Sequence, residues 1–372
     1  MSILSLVFFG LIFYLLILGI LILFPFPFQH WAMYLNFAKF PFFVDFNRAE
    51  EFGFRSGSVK SFKIKTKDNL LLGAWHIFPH RFIPKPNPQQ YQQEIDESSD
   101  LDKADIVFLY FHGNAGNRAT FHRTDFYKMM TSLNINSHVI AIDYRGFGDS
   151  SFAIPTEKTV RIDAISAYDW IVDQGVNPRK IIIVGHSLAT DLAYTLDLKQ
   201  TQLGTPPCGG YASIADAAIG YPMVPVLLPF HGFPQLEKWI KSKIVDKWSS
   251  HLKMSSITTP ILIMHGLKDF EIKPWQAEAN FLEAISGRTG NKVVDDGYWE
   301  IRNRPQKAKF EHKDVQGLSI THLDHEGELW SLNSDENPVW LLRVTHAGHN
   351  NLSRHLVVKA TIESWLENFP SK

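Results

Sequence analysis

The sequence predicts an α/β domain in which a mostly parallel central sheet is covered by helices on both faces. Short apolar runs of the buried-strand type alternate with amphipathic stretches, which is the pattern of such a sheet. In addition, one of these runs leads directly into Gly185-His-Ser-Leu-Ala189. The predicted strands are Ile106–Phe111, His138–Asp143, Ile181–Val184, Gly210–Ile214, Ile261–His265 and Leu341–Val344. The predicted helices are 119–133, 158–173, 187–199, 275–286 and 352–369.

Two further strands precede this alternation, and two segments interrupt it. Val59–Thr66 and Leu70–Phe78 are separated by a turn-like triplet and are expected to form an antiparallel edge of the sheet. Residues 216–258 lie between two sheet strands and are interpreted as a cap over the sheet edge. Residues 287–337 are more polar and are interpreted as an insertion, so the predicted domain covers residues 59–372.

The N-terminus of the chain predicts a membrane anchor. No charged side chain occurs from Ile3 to Phe24, and a helix of that length crosses a hydrocarbon core of ~30 Å. Residues 1–28 are therefore predicted to be a transmembrane anchor, and residues 29–58 an aromatic-rich linker. Lys39 and Arg48 follow the segment and no basic side chain precedes it, which favours a cytoplasmic C-terminal domain.

Composition excludes several classes of protein. The formal net charge of −1 provides no electrostatic footprint for nucleic acid. A single cysteine, Cys208, excludes an intramolecular disulfide and a multi-cysteine metal site. His322-Leu-Asp-His325 has no further ligands at suitable spacing, so we predict neither a metal nor a cofactor. The composition does not indicate an oligomeric state.

Ser187 is the candidate nucleophile. It follows the run Ile181–Val184 and begins a helical stretch, which is the context that exposes a serine hydroxyl at the edge of a sheet. The tight turn crowds the positions two before and two after the serine, so both must be small. Gly185 and Ala189 meet this requirement.

Asp269 and His349 are the candidates that would activate this serine. A serine hydroxyl needs a histidine to take its proton, and the histidine needs a carboxylate to orient it. Asp269 follows the apolar run that begins at Pro260, and His349 follows the last run. His346 is the alternative base, but His349 lies deeper in the loop, beside the flexible Gly348. The chain order serine, aspartate, histidine is one of the orders in which known serine hydrolases carry a catalytic triad.

The loop after the predicted strand Ile106–Phe111 is the candidate oxyanion hole. Its sequence, His112-Gly-Asn-Ala-Gly116, allows a backbone N–H to face the serine turn. The expected donors are the amides of Asn114 and Leu188.

Five pieces of the sequence carry a family resemblance. They are Leu72-Gly-Ala-Trp-His76, Tyr110-Phe-His-Gly-Asn-Ala-Gly-Asn117, Asp143-Tyr-Arg-Gly-Phe-Gly-Asp-Ser150, Gly185-His-Ser-Leu-Ala189 and Gly204-Thr-Pro-Pro207. With the apolar N-terminus, the chain resembles α/β-hydrolases of the membrane-anchored lysophosphatidylserine and monoacylglycerol lipase group. The resemblance implies an α/β-hydrolase fold, with Ser187 as nucleophile, Asp269 as acid and His349 as base. It also implies acyl-lipid ester substrates and a domain in the lumen of the endoplasmic reticulum, which conflicts with the charges beside the anchor.

The chain departs from the family pattern at Ala189 and Asp191, where that pattern has glycine. Asp191 is expected to be a helix-start acid without a catalytic part, because a carboxylate suits the positive end of a helix dipole. The alternative is that its charge opposes the developing oxyanion and slows acylation. The most favoured function is a membrane-anchored serine hydrolase of monoacylglycerols or lysophospholipids. The alternatives are a catalytically silent lipid-binding or scaffold protein, and a thioesterase or peptidase.

Overall fold

The architecture is an α/β fold with an apolar N-terminal helix. The computed structural model describes residues 2–79, 101–200, 212–213, 233–290, 317–332 and 337–368. Within these ranges the strands form a five-stranded and a four-stranded sheet. The strands are β1 (Val59–Lys65), β2 (Leu71–Ile77), β3 (Ile106–Phe111), β4 (Ser137–Ile142), β5 (Ile181–Gly185), β6 (Ile261–Gly266), β7 (Leu318–Leu323), β8 (Gly327–Leu332) and β9 (Val339–Val344).

The two sheets combine parallel strands with antiparallel edges. The first sheet has the order β1-β2-β4-β3-β5, in which β3 runs parallel to both β4 and β5. β1 and β2 are antiparallel to each other, and β2 is antiparallel to β4, so the predicted antiparallel edge is confirmed. The second sheet has the order β6-β9-β8-β7, with β6 and β9 parallel. The parallel strands are buried along their length, which explains why they read as continuous apolar runs.

The helices pack on both faces of these sheets or lie near the N-terminus. Their bounds are α1 (Ile3–Leu23), α2 (Pro25–Tyr34), α3 (Phe121–Thr131), α4 (Glu157–Asp173), α5 (Thr190–Gln200), α6 (Pro234–Lys243), α7 (His251–Met254), α8 (Trp275–Thr289) and α9 (Leu356–Glu367). α4 begins with a capping box in which Thr156 and Thr159 satisfy each other's backbone amides. The 17-residue helix that follows buries one face against the first sheet.

Helix α1 is long and apolar enough to cross a membrane. Its 21 residues rise about 31 Å at about 1.5 Å per residue. Most of its large apolar side chains are exposed on the protein, whereas a core helix would bury one face.

Residues 29–58, predicted as a linker, pack against the hydrolase core. Tyr34 is completely buried in the same apolar cluster as β3 and the serine turn. Phe46 and Phe54 are buried around Trp75 of β2, whose indole N–H donates to the carbonyl of Phe46 at 2.8 Å. The sequence analysis did not predict this packing, because the residues that contact each other are distant in the sequence.

The segments predicted as cap and insertion are described in part. Residues 216–232 of the predicted cap, and residues 210, 211 and 214 of the predicted strand Gly210–Ile214, lie outside the described residues. The rest of the cap includes α6 and α7. In the insertion, residues 318–332 form the β7–β8 hairpin, and β8 pairs with β9. This part of the insertion therefore extends the sheet.

Candidate active site

The serine turn between β5 and α5 holds Ser187 in a strained backbone conformation. Its φ is +57°, a value that costs a non-glycine residue on the order of 1–3 kcal/mol. A Cβ on Gly185 would lie 2.5 Å from the carbonyl oxygen of Ala189, so only glycine fits at position 185. Ala189 itself is completely buried in the apolar cluster, which accommodates its methyl group. The turn therefore has the geometry that orients a serine for nucleophilic attack.

Asp269 and His349 lie after β6 and β9, as predicted, and form a direct hydrogen bond. Nδ1 of His349 donates to Oδ2 of Asp269 at 2.7 Å, and both side chains are buried. The other carboxylate oxygen accepts the amides of Glu271 at 2.9 Å and Ile272 at 2.8 Å. These bonds fix the acid and leave Nε2 of His349 as the ring atom available for proton transfer.

The charge of Asp269 sets the protonation of the pair. Burial alone would lower the pKa of His349, but the hydrogen bond from its ring to Asp269 and the charge of that carboxylate outweigh burial. The pKa of His349 is consequently raised above its usual value. Burial would raise the pKa of Asp269, but the same hydrogen bond lowers it. Both pKa shifts indicate that the carboxylate of Asp269 stabilises the positive charge of the protonated His349 imidazole.

The loops after β5, β6 and β9 are tied together beside the serine. The amide of Lys268 donates to the carbonyl of Ala347 at 2.9 Å, which joins the loops that carry Asp269 and His349. Nε2 of His186, the residue before Ser187, donates to the carbonyl of His349 at 3.2 Å. The two imidazole rings lie 5.1 Å apart. Burial lowers the pKa of His186 to about 3, so this ring stays neutral.

The predicted oxyanion loop lies against Ser187. A Cβ on Gly113 would lie 2.9 Å from Cβ of Ser187 and 3.4 Å from its Oγ, so the approach requires glycine. In the part of the chain that the structure describes, the backbone amides of Asn114 and Leu188 donate no hydrogen bond to an oxygen atom. Both N–H groups therefore remain able to bind an anionic oxygen.

Arg123, which the sequence analysis did not single out, organises the oxyanion loop. This buried guanidinium donates to the carbonyls of Asn114 at 3.1 Å, Ala115 at 2.9 Å and Asn117 at 2.8 Å. Ala115 has a φ of +54°, which is a strained value for a residue with a side chain, whereas Gly116 adopts its φ of +63° without strain. Three charge-assisted hydrogen bonds from one side chain compensate for this strain. Arg123 lies on α3, six to nine residues after the carbonyls that it binds, and no known sequence motif marks an arginine for this role.

A second buried arginine joins the oxyanion loop to β2 and β4. Nη1 of Arg118 donates to Asp143 at 2.5 Å and to Asp149 at 2.6 Å. A Cβ on Gly73 of β2 would lie 1.9 Å from a carboxylate oxygen of Asp149, so glycine leaves room for this cluster. Burial raises the pKa of Asp143, although Arg118 opposes that shift. The cluster fixes the end of the oxyanion loop.

Asp191 is part of a buried ion cluster, which the sequence analysis did not foresee. One of its carboxylate oxygens accepts from Arg161 at 3.0 Å, and the other is paired with Lys253 of α7. Arg161 also binds Glu157, one turn earlier on α4. Two cations thus surround the carboxylate four residues after Ser187, and they neutralise its local field.

In the described ranges no group of three or more His, Cys, Asp or Glu side chains is arranged to hold a metal ion.

Comparison with known proteins identifies the family. A family model described as "alpha/beta hydrolase fold" matches residues 106–201, which include the serine turn. Lysophosphatidylserine lipase ABHD12 of Xenopus tropicalis is 31% identical over 273 residues, covering 69% of this chain and 67% of the relative. The chain belongs to the ABHD12 family. The protein named ABHD12 in Danio rerio is 31% identical over 252 residues. The chain spans 63% of the Danio rerio relative and 58% of the one from Mus musculus.

Solved structures confirm the fold of this ABHD12-family member. An alpha-beta hydrolase from Vibrio vulnificus has a TM-score of 0.58 at 14% identity, covering 92% of each chain. An esterase from Pyrococcus furiosus has a TM-score of 0.53 at 14% identity, covering 86% of this chain and 92% of that one. The identities are low, so these similarities concern the fold alone.

Proposed function

We propose that this protein is a membrane-anchored serine hydrolase that cleaves carboxylic esters of acyl lipids through Ser187, Asp269 and His349. The observation that carries the proposal is the 2.7 Å bond between His349 and Asp269 beside a serine turn of positive φ. The ABHD12 relatives named as lysophosphatidylserine lipases support the choice of an acyl-lipid ester.

Acylation follows from the positions of these groups. Ser187 Oγ attacks the ester carbonyl carbon while Nε2 of His349 takes the hydroxyl proton. Asp269 holds the ring in the tautomer that carries its proton on Nδ1, and it stabilises the imidazolium that forms. The C–O bond to the alcohol then breaks, and His349 returns the proton to the departing alkoxide. Water, activated by the same histidine, hydrolyses the acyl-enzyme and releases the fatty acid.

The tetrahedral intermediate places a negative charge on the former carbonyl oxygen. The amides of Asn114 and Leu188 are the proposed donors to this oxyanion. A preorganised donor of this kind is typically worth about 2.7–4 kcal/mol of barrier in a protein site. Arg123 contributes indirectly, because it holds the carbonyls of the loop that carries Asn114.

Helix α1 is the proposed single-pass anchor, which would keep the domain beside lipid substrates. The endoplasmic reticulum is the expected membrane on the family resemblance. The substrates proposed first are lysophosphatidylserine and a monoacylglycerol.

The test is hydrolysis by the full chain in detergent-free lipid vesicles. We expect the wild-type protein to release fatty acid from lysophosphatidylserine or monoacylglycerol, and Ser187→Ala to lose at least about 10³-fold in kcat/KM. Ser132→Ala is the matched control, since Ser132 lies at the end of α3 and its hydroxyl donates to the Met129 carbonyl of the same helix at 2.7 Å. Equal turnover by Ser187→Ala and the wild type would refute the proposed nucleophile.

The same assay separates the alternatives. A thioester or peptide cleaved in preference to the matched lipid ester would favour a thioesterase or a peptidase. Lipid binding without turnover of any of these substrates would favour a silent binding protein on the same fold.

A further inference from the structure

The segment of residues 37–43 exposes a cluster of phenylalanine side chains. Phe37, Phe40, Phe42 and Phe43 are all exposed, and the rings of Phe40 and Phe42 meet edge to face at 6.1 Å. Four large aromatic side chains exposed within seven residues form an apolar surface of the kind that marks an interaction site. We call residues 37–43 the aromatic segment.

The backbone of this region is bonded to the oxyanion loop. Four hydrogen bonds join them, each accepted by a carbonyl from residues 34–41: Ala115 N to Tyr34 O at 2.8 Å, Gly116 N to Ala38 O at 2.8 Å, Asn117 Nδ2 to Pro41 O at 3.1 Å and Thr120 Oγ1 to Phe40 O at 3.0 Å. The loop is therefore supported by the aromatic segment as well as by Arg123. All four acceptors are main-chain carbonyls, so the phenylalanine side chains are not needed for these hydrogen bonds.

The exposed aromatic surface is continuous in sequence with helix α1. Phe24, Phe26 and Trp31 are exposed along the end of α1 and α2. Helix α2 is fixed on the domain by Tyr34, whose hydroxyl donates to Asp246 at 2.8 Å. The aromatic segment is thus separated from the end of α1 by 13 residues, and helix α2, which occupies most of that interval, is attached to the domain. Because the exposed aromatic surface continues from α1, a lipid surface is favoured as its binding partner over a second copy of this chain or another protein.

We propose that the aromatic segment is a second membrane contact, in which Phe40, Phe42 and Phe43 enter the interface between lipid headgroups and acyl chains. Aromatic side chains are favoured at that depth, and an apolar face can bury there without crossing the bilayer. The contact places the oxyanion loop, and with it Asn114, at the lipid surface from which an acyl ester would be drawn. The role in catalysis rests on the proposed hydrolase activity, whereas the lipid contact rests only on the proposed anchor α1.

The first test measures the contact directly. The full chain is prepared with Cys208→Ser, and a polarity-sensitive nitrobenzoxadiazole dye is attached to the single cysteine of Phe43→Cys. The protein is reconstituted in dioleoylphosphatidylcholine vesicles, with and without spin-labelled lipid. We expect at least about a twofold loss of dye fluorescence from the spin label at position 43. A dye on Leu356→Cys, whose native side chain is 84% exposed at the start of α9, should lose less than a fifth of its fluorescence.

The second test measures the consequence for turnover. The triple variant Phe40→Ser, Phe42→Ser, Phe43→Ser is compared with Leu356→Ser on vesicle-borne lysophosphatidylserine and on a water-soluble butyrate ester. We expect the triple variant to lose at least tenfold on the vesicle substrate and less than threefold on the soluble ester. The control should change less than threefold on both.

Each failure has a distinct signature. If spin-labelled lipid does not reduce the fluorescence of the dye at position 43, the membrane contact is overturned. The same conclusion applies if a protein, rather than lipid, covers the dye. Equal losses by the triple variant on both esters would overturn the docking role and leave only a structural role for the segment. A wild-type protein that cleaves neither ester, but whose dye is quenched, would refute the proposed function and retain the contact.

Discussion

Replacing Asp191 tests whether the charge behind Ser187 serves stability or restrains catalysis. In Asp191→Asn, Arg161 and Lys253 lose a carboxylate that is 1% exposed. Removing one partner of a buried ion pair typically costs 3–5 kcal/mol. The side chains of Arg161 and Lys253 are 31% and 20% exposed, so water partly compensates and the lower end applies, about 3 kcal/mol. At about 2–4 °C per kcal/mol for a large domain, the melting temperature should fall by about 6–12 °C.

The pH dependence of this loss identifies its cause. Burial already lowers the pKa of Lys253, and Asp191 opposes that shift. Without the carboxylate the pKa should fall further below the value in the unfolded chain. The unfolded state then binds more protons, so the free energy of unfolding of Asp191→Asn should rise with pH as Lys253 loses its charge.

Urea unfolding and ester turnover are the assays for this variant. The stability deficit should appear in urea unfolding at pH 7 and shrink toward pH 10, and adding Lys253→Met should recover at least about 1 kcal/mol. Turnover of a soluble short-chain ester by the folded double variant Ala189→Gly, Asp191→Gly, measured at low temperature, should change less than about tenfold, under about 1.4 kcal/mol of barrier. An unchanged free energy of unfolding would refute the ion-cluster argument. A gain of a hundredfold or more in kcat/KM would show instead that the native residues mute the nucleophile.

Three further predictions concern the base, the anchor and acid stability. His349→Ala should cost at least about 10³-fold in kcat/KM and His346→Ala less than about threefold, because His346 is exposed whereas His349 is buried and bonded to Asp269; the reverse order would mean that the wrong histidine was chosen. Removing residues 1–28 should make the protein extractable by a carbonate wash while it stays folded, since Tyr34 and the core are retained; a truncated protein that still sediments would place the main anchor elsewhere. Burial lowers the pKa of His138 to about 4 from 6.5, so the unfolded chain binds the extra proton and His138 alone should lower the free energy of unfolding by up to about 3 kcal/mol between pH 6.5 and 4; His138→Phe should therefore flatten the urea-unfolding profile over that range, and an equally steep profile in that variant would contradict this.

The sequence predicted the features that depend on local pattern. A strand buried on both faces must be apolar along its length, so β3 has the predicted bounds Ile106–Phe111. The positions of Ser187, Asp269 and His349 at the ends of strands followed from the order of the motifs. Their catalytic roles remain a proposal, although the structure brings the acid and the base together.

The sequence could not predict features that depend on distant partners. Asp191 was interpreted from its own helix, whereas its partner Lys253 lies 62 residues away. Tyr34 pairs with Asp246 across 212 residues, and no local period records that contact. The hairpin of β7 and β8 was missed for a different reason: its outer strand exposes polar side chains, so it resembles a surface loop. The contacts of Asp191 and Tyr34 join residues far apart in the sequence, so they are seen only in the folded chain.

The central claim is tested most directly by covalent labelling of Ser187 with a fluorophosphonate. The full-length protein should form one adduct, which peptide mass spectrometry should locate on Ser187 within the turn Gly185–Ala189. His349→Ala should form the same adduct at least about 10³-fold more slowly, because the histidine that takes the serine proton is missing. An adduct on a different serine, or an unchanged rate of labelling in His349→Ala, would contradict the account.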